Sequence, residues 1–155
     1  MLGDCTGASV LDVFAGSGAM GIEALSRGAS SATFIERDPG AVRCIRGNLA
    51  ALGLERFGSV LARDWGAALA SLGSGGAPFD ICLIDPPYGL FPEISDELAF
   101  ALAPVLAEYA TVMIEGPAKG PVPTLDGVHV IDRTDRAYGS TRVSILRAHT
   151  PGATR

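Results

Sequence analysis

Lysine is almost missing from this sequence. Lys119 stands alone, arginine carries nearly all of the positive charge, and acidic residues outnumber basic ones to leave a net charge of −5. That balance weighs against a large phosphate-binding surface. Cysteine is scarce as well: Cys5, Cys44 and Cys82 are odd in number, far apart and in no C-x-x-C pair. This excludes a disulfide framework and a cysteine-based zinc site, and it points to a reducing, cytoplasmic compartment. His129 and His149 are isolated in the sequence, so neither reads as a metal ligand or catalytic base, and no metal is expected. No apolar run reaches the roughly 18 residues of a membrane span, and the N-terminus lacks the basic-then-apolar pattern of a signal peptide.

What is present is an apolar, lightly charged chain. With 48% hydrophobic and 19% charged residues over 155 positions, it is long enough for one domain with one substantial core and too apolar for disorder. Residues 1–8 read as a short N-terminal stub and residues 149–155 as a flexible tail. Between them, strand-like runs alternate with helical patterns. Strands are expected at Ser9–Phe14, Ala32–Glu36, Ser59–Arg63, Phe79–Asp85 and Thr111–Glu115. Helices are expected from Gly18 to Arg27, from Pro39 behind the N-cap Asp38 to Leu52, from about Gly66 to Leu72, and from about Glu93 to Leu106. Such alternation predicts a parallel α/β sheet covered by helices on both faces. Val128–Arg133 and Thr141–Arg147 follow with only a short connection around Tyr138-Gly139-Ser140, which predicts an antiparallel hairpin at the sheet edge. A mostly parallel seven-stranded sheet that ends this way is the layout of a Rossmann-like class I methyltransferase.

Three strand ends carry the chemistry, because ligands in open parallel sheets sit beyond the carboxyl ends of the strands. The first is followed by "GSGAMG", Gly16 to Gly21, which lets the backbone approach a ligand and offers the N–H groups of a helix start. Glu36 closes the second strand about 20 residues later, where a carboxylate can accept both hydroxyls of a ribose. A dinucleotide and S-adenosylmethionine satisfy these features equally well. Asp12 separates them. It lies in the apolar "VLDVF", where a carboxylate needs a partner; the methionine ammonium supplies one, whereas a pyrophosphate would be repelled. Asp64, with Trp65 beside it, ends the third strand and can accept from an adenine amino group; the alternative is a helix N-cap and a packing aromatic.

The fourth strand ends in "DPPY", Asp85-Pro86-Pro87-Tyr88. The prolines fix φ and remove two N–H donors, leaving carbonyls free to accept. Asp85 and the Pro86 carbonyl can then take the two hydrogens of an exocyclic amine, while Tyr88 offers a face for a base. Held in this way, a poorly nucleophilic amine aims its lone pair at a sulfonium methyl, so the catalysis expected is positioning and electrostatics.

Taken together, "DVFAGSGAMGIEALSRGAS", "FDICLIDPPY" and "YGSTRVSIL" resemble, in order and spacing from Val10 to about Leu146, the RsmD-type 16S ribosomal RNA guanine-N2-methyltransferases. The resemblance implies methylation of one guanine N2 in small-subunit rRNA, on a partly assembled particle, by a monomer using S-adenosylmethionine. It implies cofactor contacts from Asp12, Ala15, Gly16, Ser17, Gly18, Glu36, Arg37, Asp64, Trp65 and Asp85. Asp85, Pro86, Pro87 and Tyr88 would hold the flipped guanine, and Tyr138-Gly139-Ser140-Thr141 would form a hairpin loop near the cleft. Family members carry a basic segment and a helix ahead of the first strand, in place of "MLGDCTGA". The chain is therefore expected to bind RNA weakly, with Arg133, Arg136 and Arg142 as the candidate RNA contacts. A DNA-adenine or protein-glutamine amino-methyltransferase and a non-catalytic dinucleotide-binding domain remain as alternatives.

Overall fold

The structure, a computed structural model, describes residues 2–87 and 89–152. Its strands are β1 (Ser9–Asp12), β2 (Ser31–Ile35), β3 (Gly58–Leu61), β4 (Phe79–Ile84), β5 (Leu106–Pro117), β6 (Val130–Tyr138) and β7 (Thr141–Ala148). Helices α1 (Ala19–Ser26), α2 (Pro39–Ala51), α3 (Trp65–Gly73) and α4 (Phe91–Leu102) link the first five strands. All seven strands form one sheet in the order β3-β2-β1-β4-β5-β7-β6. The first five strands run parallel, and β7 lies antiparallel between β5 and β6. Strand order reverses between β1 and β4, and the carboxyl ends of these two adjacent strands carry the glycine loop and the proline segment.

Strand alternation divides the core into two layers. Val10, Phe34, Leu83, Met113 and Val143 pack with Ile22, Leu25, Ile45 and Leu49 from α1 and α2. Leu11, Val13, Ile35, Cys82, Ile84, Val112, Ile114 and Leu146 pack with Leu69, Leu98 and Leu102 from α3 and α4. Gly21 is a close-approach position: a Cβ there would run into the ring of fully buried Phe34, so α1 can lie this near β2 only with a glycine.

The expected elements are all present, with shifted ends. β1 stops at Asp12, two residues early, because Phe14 adopts a φ of 69°, which no strand can continue. α3 begins at Trp65, since the Asp64 carboxylate accepts from the Gly66 N–H at 3.0 Å and caps the helix there. Asp38 does the same for α2 by accepting from the Ala41 N–H at 2.8 Å. α4 starts earlier than expected and ends at Leu102, where the Ala103–Val105 turn containing Pro104 redirects the chain. β5 and β6 are longer than the apolar runs alone indicate: β6 is paired with β7 from Val130 to Tyr138, while β5 is paired with β7 from Thr111 to Pro117 and with β4 at Leu106. In the terminal segment, the N–H of Thr150 donates to the Glu108 carbonyl at 2.9 Å and the N–H of His149 to the His129 carbonyl at 2.8 Å. Among the described residues no helix is long and apolar enough to cross a membrane.

Candidate active site

Two cavities open at the carboxyl ends of the strands, and they meet at Asp85, Pro86 and Pro87, which line both. The first, of about 620 Å³, lies over β1, β2 and β3. Asp12, Ala15, Gly16, Ser17, Glu36, Arg37, Asp64, Trp65 and Asp85 all line it. Gly18 stands outside that lining, at the N-cap of α1 with its φ at 82°. A Cβ at Gly18 would crowd Ile45 and Phe34 at 3.2–3.3 Å, so this residue serves the packing beneath the loop.

Asp12, Glu36 and Asp64 each have one or two backbone partners and capacity to spare. Asp12, 1% exposed, accepts from the Gly21 N–H at 3.0 Å and so satisfies the first turn of α1, which has no side-chain cap of its own. Burial pushes its carboxyl up to about 7 against that hydrogen bond, and the charges of Asp85 and Glu36 push the same way. The position favours a cationic neighbour. Glu36 bridges the rim: one oxygen accepts from the Gly16 N–H at 2.8 Å and the other from the Asp38 N–H at 2.9 Å. A carboxylate offers about four acceptor positions, so roughly two remain. Asp64 caps α3 and faces the cavity as well, so the cap reading and the site reading of this residue are compatible. Trp65 packs against Phe14, their ring centroids 6.2 Å apart and the rings tilted by 54°.

The second cavity, of about 850 Å³, lies over β4, β5 and the β6–β7 turn. Phe91, Pro92, Pro121, Val122 and Pro123 give it apolar walls, and Glu115 stands at its β5 edge. One wall is the 118–124 segment, which two arginines hold in place. Arg142 donates to the carbonyls of Ala118 (2.7 Å), Pro121 (3.2 Å) and Gly120 (3.3 Å). Arg133 donates to the Pro123 carbonyl at 2.8 Å and to both oxygens of Asp135 at 2.8 and 2.9 Å. Hydrogen bonding from Arg133, and more weakly from Ser144, holds the Asp135 carboxyl down to about 2. Two of the three arginines expected to meet RNA are therefore engaged within the fold, and Arg136 is the exposed one.

Asp85 sits one residue past β4 at the seam between the cavities, and burial followed by the charge of Glu115 pushes its carboxyl upward. Ser140 and Thr141 of the hairpin line the larger cavity, as expected of a loop near the cleft. Tyr88 lies outside the described residues. The sequence reading did not single out Phe14, Met20, Arg63, Leu90 and Ile94 in the first cavity, nor Glu115 and the 118–124 wall in the second. Glu115 had a visible signal, a carboxylate closing the fifth strand as Asp12, Glu36 and Asp85 mark the others. The wall had none.

Comparison with known proteins agrees with this geometry. Residues 1–147 match the family described as "Conserved hypothetical protein 95". A Bacillus subtilis (strain 168) protein bearing the name "Putative rRNA methyltransferase YlbH" is 32% identical over 143 residues, covering 88% of this chain and 74% of that protein. "Ribosomal RNA small subunit methyltransferase D" of Escherichia coli (strain K12) is 37% identical over 120 residues, covering 76% of this chain and 58% of its own length. A solved structure, "Putative methyltransferase yhhF from Escherichia coli", superposes with a TM-score of 0.77 at 30% identity, covering 94% of this chain and 78% of that one. With the family's pattern running through nearly all of its length, the glycine loop and the proline segment at their expected strand ends, and relatives of this kind, the chain belongs to the RsmD-type methyltransferase family.

Proposed function

We propose that this chain transfers a methyl group from S-adenosylmethionine to the exocyclic N2 amine of a guanine in 16S ribosomal RNA. The observation that carries the reading is the seam: two ligand-sized cavities share one segment, Asp85-Pro86-Pro87, whose carboxylate and carbonyls are acceptors. The first cavity fits the cofactor by its donor and acceptor set. Buried Asp12 would hold the ammonium, directly or through water, and an ionised partner would bring its carboxyl back down. Glu36, with about two acceptor positions left, matches the two ribose hydroxyls. Asp64 would accept from the adenine amine beside Trp65, with Ala15, Gly16, Ser17 and Arg37 framing the methionine and ribose. A pyrophosphate would place its negative charge against Asp12 and Glu36, which argues against a dinucleotide.

The bound cofactor supplies a methyl group on a cationic sulfur, which becomes a neutral thioether once the methyl has left. Asp85 and the Pro86 carbonyl accept the two amine hydrogens and hold the nitrogen lone pair toward that methyl. Once methylated, the amine would carry one surplus proton. Asp85, its carboxyl already pushed upward, is placed to take it and pass it to water. The flipped base would occupy the second cavity between Phe91 and the proline wall. The biological substrate in this reading is a partly assembled small subunit in the cytoplasm, and the working form is a monomer.

The test is methyl transfer from labelled cofactor to small-subunit particles from an unmethylated strain, with naked rRNA, DNA and protein as competing acceptors. Label in N2-methylguanine from the particles is the expected result; label in adenine or in protein glutamine would favour another amino-methyltransferase.

A further inference from the structure

Among the described residues, the second cavity contains one carboxylate that the proposed chemistry leaves unused. Glu115 ends the central part of β5, and Asp85 follows β4. Ile84 and Ile114 are register partners, so Asp85 and Glu115 come one step beyond a paired position on neighbouring strands, whose spacing is about 4.8 Å. Both line the same cavity, and the charge of Glu115 reaches Asp85. The Glu115 side chain has no hydrogen bond or ion pair with any described residue. Arg142, the cation lining the same cavity, spends its donors on the carbonyls of Ala118, Gly120 and Pro121. A carboxylate unpaired among the described residues thus stands beside the acceptor that receives the amine.

The edges of the bases differ at the atom next to the amine. Guanine carries an N1–H beside N2, two donor groups side by side. Adenine and cytosine carry a lone pair beside theirs, and so does 2-aminopurine, which keeps the 2-amine. We infer that Glu115 accepts the N1–H of the target guanine and selects guanine over bases that present a lone pair at that atom. With the amine on Asp85 and the Pro86 carbonyl, the neighbouring N1–H turns toward the β5 side, where Glu115 stands. A lone pair there would face a carboxylate and leave its desolvation unrepaid, the situation in which sites built for hydrogen bonding discriminate most strongly. The inference rests on the proposed guanine chemistry and adds to it the residue that reads the base.

The experiment uses small-subunit particles reconstituted with 16S rRNA that carries, at the position the wild-type chain methylates, either guanine or 2-aminopurine. The kcat/KM ratio for the two substrates is compared in wild type, Glu115→Gln and Glu115→Ala, with S-adenosylhomocysteine affinity measured alongside. Wild type should prefer guanine by a hundredfold or more. Glu115→Gln, whose amide can accept from N1–H or donate to a lone pair, should shrink that ratio at least tenfold, chiefly by gaining 2-aminopurine. Glu115→Ala should shrink it by losing guanine. S-adenosylhomocysteine affinity should stay within a few-fold in both, since Glu115 lies outside the first cavity. An unchanged ratio in variants that bind S-adenosylhomocysteine normally overturns the inference alone. Loss of S-adenosylhomocysteine binding in both variants overturns it too, by making Glu115 a structural residue. A wild-type chain that methylates no guanine overturns the proposed function and this inference with it.

Discussion

The two cavities are held by opposite chemistry. Around the first, the charged side chains that fix the backbone are acidic: Asp12, Glu36 and Asp64 accept from the N–H groups of Gly21, Gly16, Asp38 and Gly66. Around the second they are basic: Arg133 and Arg142 donate to the carbonyls of Ala118, Gly120, Pro121 and Pro123. A carboxylate that holds one or two N–H groups keeps lone pairs for a ligand. A guanidinium spread over several carbonyls has little left to offer. On the first side, then, the atoms with structural duties are the same ones proposed to bind the cofactor. On the second side the arginines shape a wall, and in the proposed function recognition would fall to Asp85, Glu115 and the apolar surface.

The comparison can be broken at four places. The largest effect is expected at the seam. Asp85→Ala should lower turnover by a hundredfold or more, on the scale of removing one preorganised transition-state hydrogen-bond partner, with cofactor affinity nearly unchanged. Single-turnover kinetics beside S-adenosylhomocysteine calorimetry would show it; turnover within a few-fold of wild type removes Asp85 from the chemistry.

Next is Glu36→Ala, which should weaken S-adenosylhomocysteine binding by roughly 1.5–3 kcal/mol, the scale of hydrogen bonds to a charged group. Because Glu36 also ties Gly16 to Asp38 through its two oxygens, Glu36→Gln, which keeps one acceptor oxygen and puts an NH2 donor in place of the other, should recover affinity only in part. Equal affinity in all three chains would mean the ribose is held elsewhere.

Arg142→Ala tests the second side. Releasing the 118–124 wall should raise KM for the RNA substrate about tenfold, given three lost hydrogen bonds from a charged donor, while kcat and S-adenosylhomocysteine affinity change little. A matching loss of cofactor affinity would show that the two sides are not independent.

The smallest effect concerns Asp12 and pH. Its carboxyl lies near 7 in the fold against an ordinary value of 3.8, so the folded chain binds the extra proton more tightly than the unfolded one. That contribution is fully present below 3.8 and is lost as pH rises through 7. In the cofactor-free chain, unfolding free energy should fall by about 1 kcal/mol from pH 6 to pH 8 on this account. Asp85, raised as well, acts in the same direction, whereas Asp135, held near 2, titrates well below this window. Denaturant titrations should show a flatter profile for Asp12→Asn, and saturating cofactor should flatten the wild-type profile by supplying a cation. A wild-type profile as flat as the variant's would mean that water reaches Asp12.

What the sequence made legible follows the same division. The first cavity rests on short motifs, a glycine loop and acidic residues at strand ends, so its strands, helices and most of its lining could be read from spacing. The positive φ of Phe14 was invisible, because nothing in "VFAG" marks a phenylalanine for the left-handed region. The second cavity depends on Arg142 reaching carbonyls 21 to 24 residues away. Backbone carbonyls carry no sequence signal, so Arg133 and Arg142 read as free cations for a phosphate. Asp64 was legible as both cap and ligand candidate because a helix start at a strand end invites both.

The bridge from the Gly16 N–H through Glu36 to the Asp38 N–H is complete in the chain by itself, and this bears on how the cofactor arrives. A loop already tied at its rim loses little motion when a ligand enters, so less of the interaction energy is spent on ordering it. Association should then be a single fast phase, near the upper part of the ordinary 10⁵–10⁷ M⁻¹s⁻¹ range, with no slow step that follows encounter. Differences in affinity among cofactor analogues should appear almost wholly in how long each one stays.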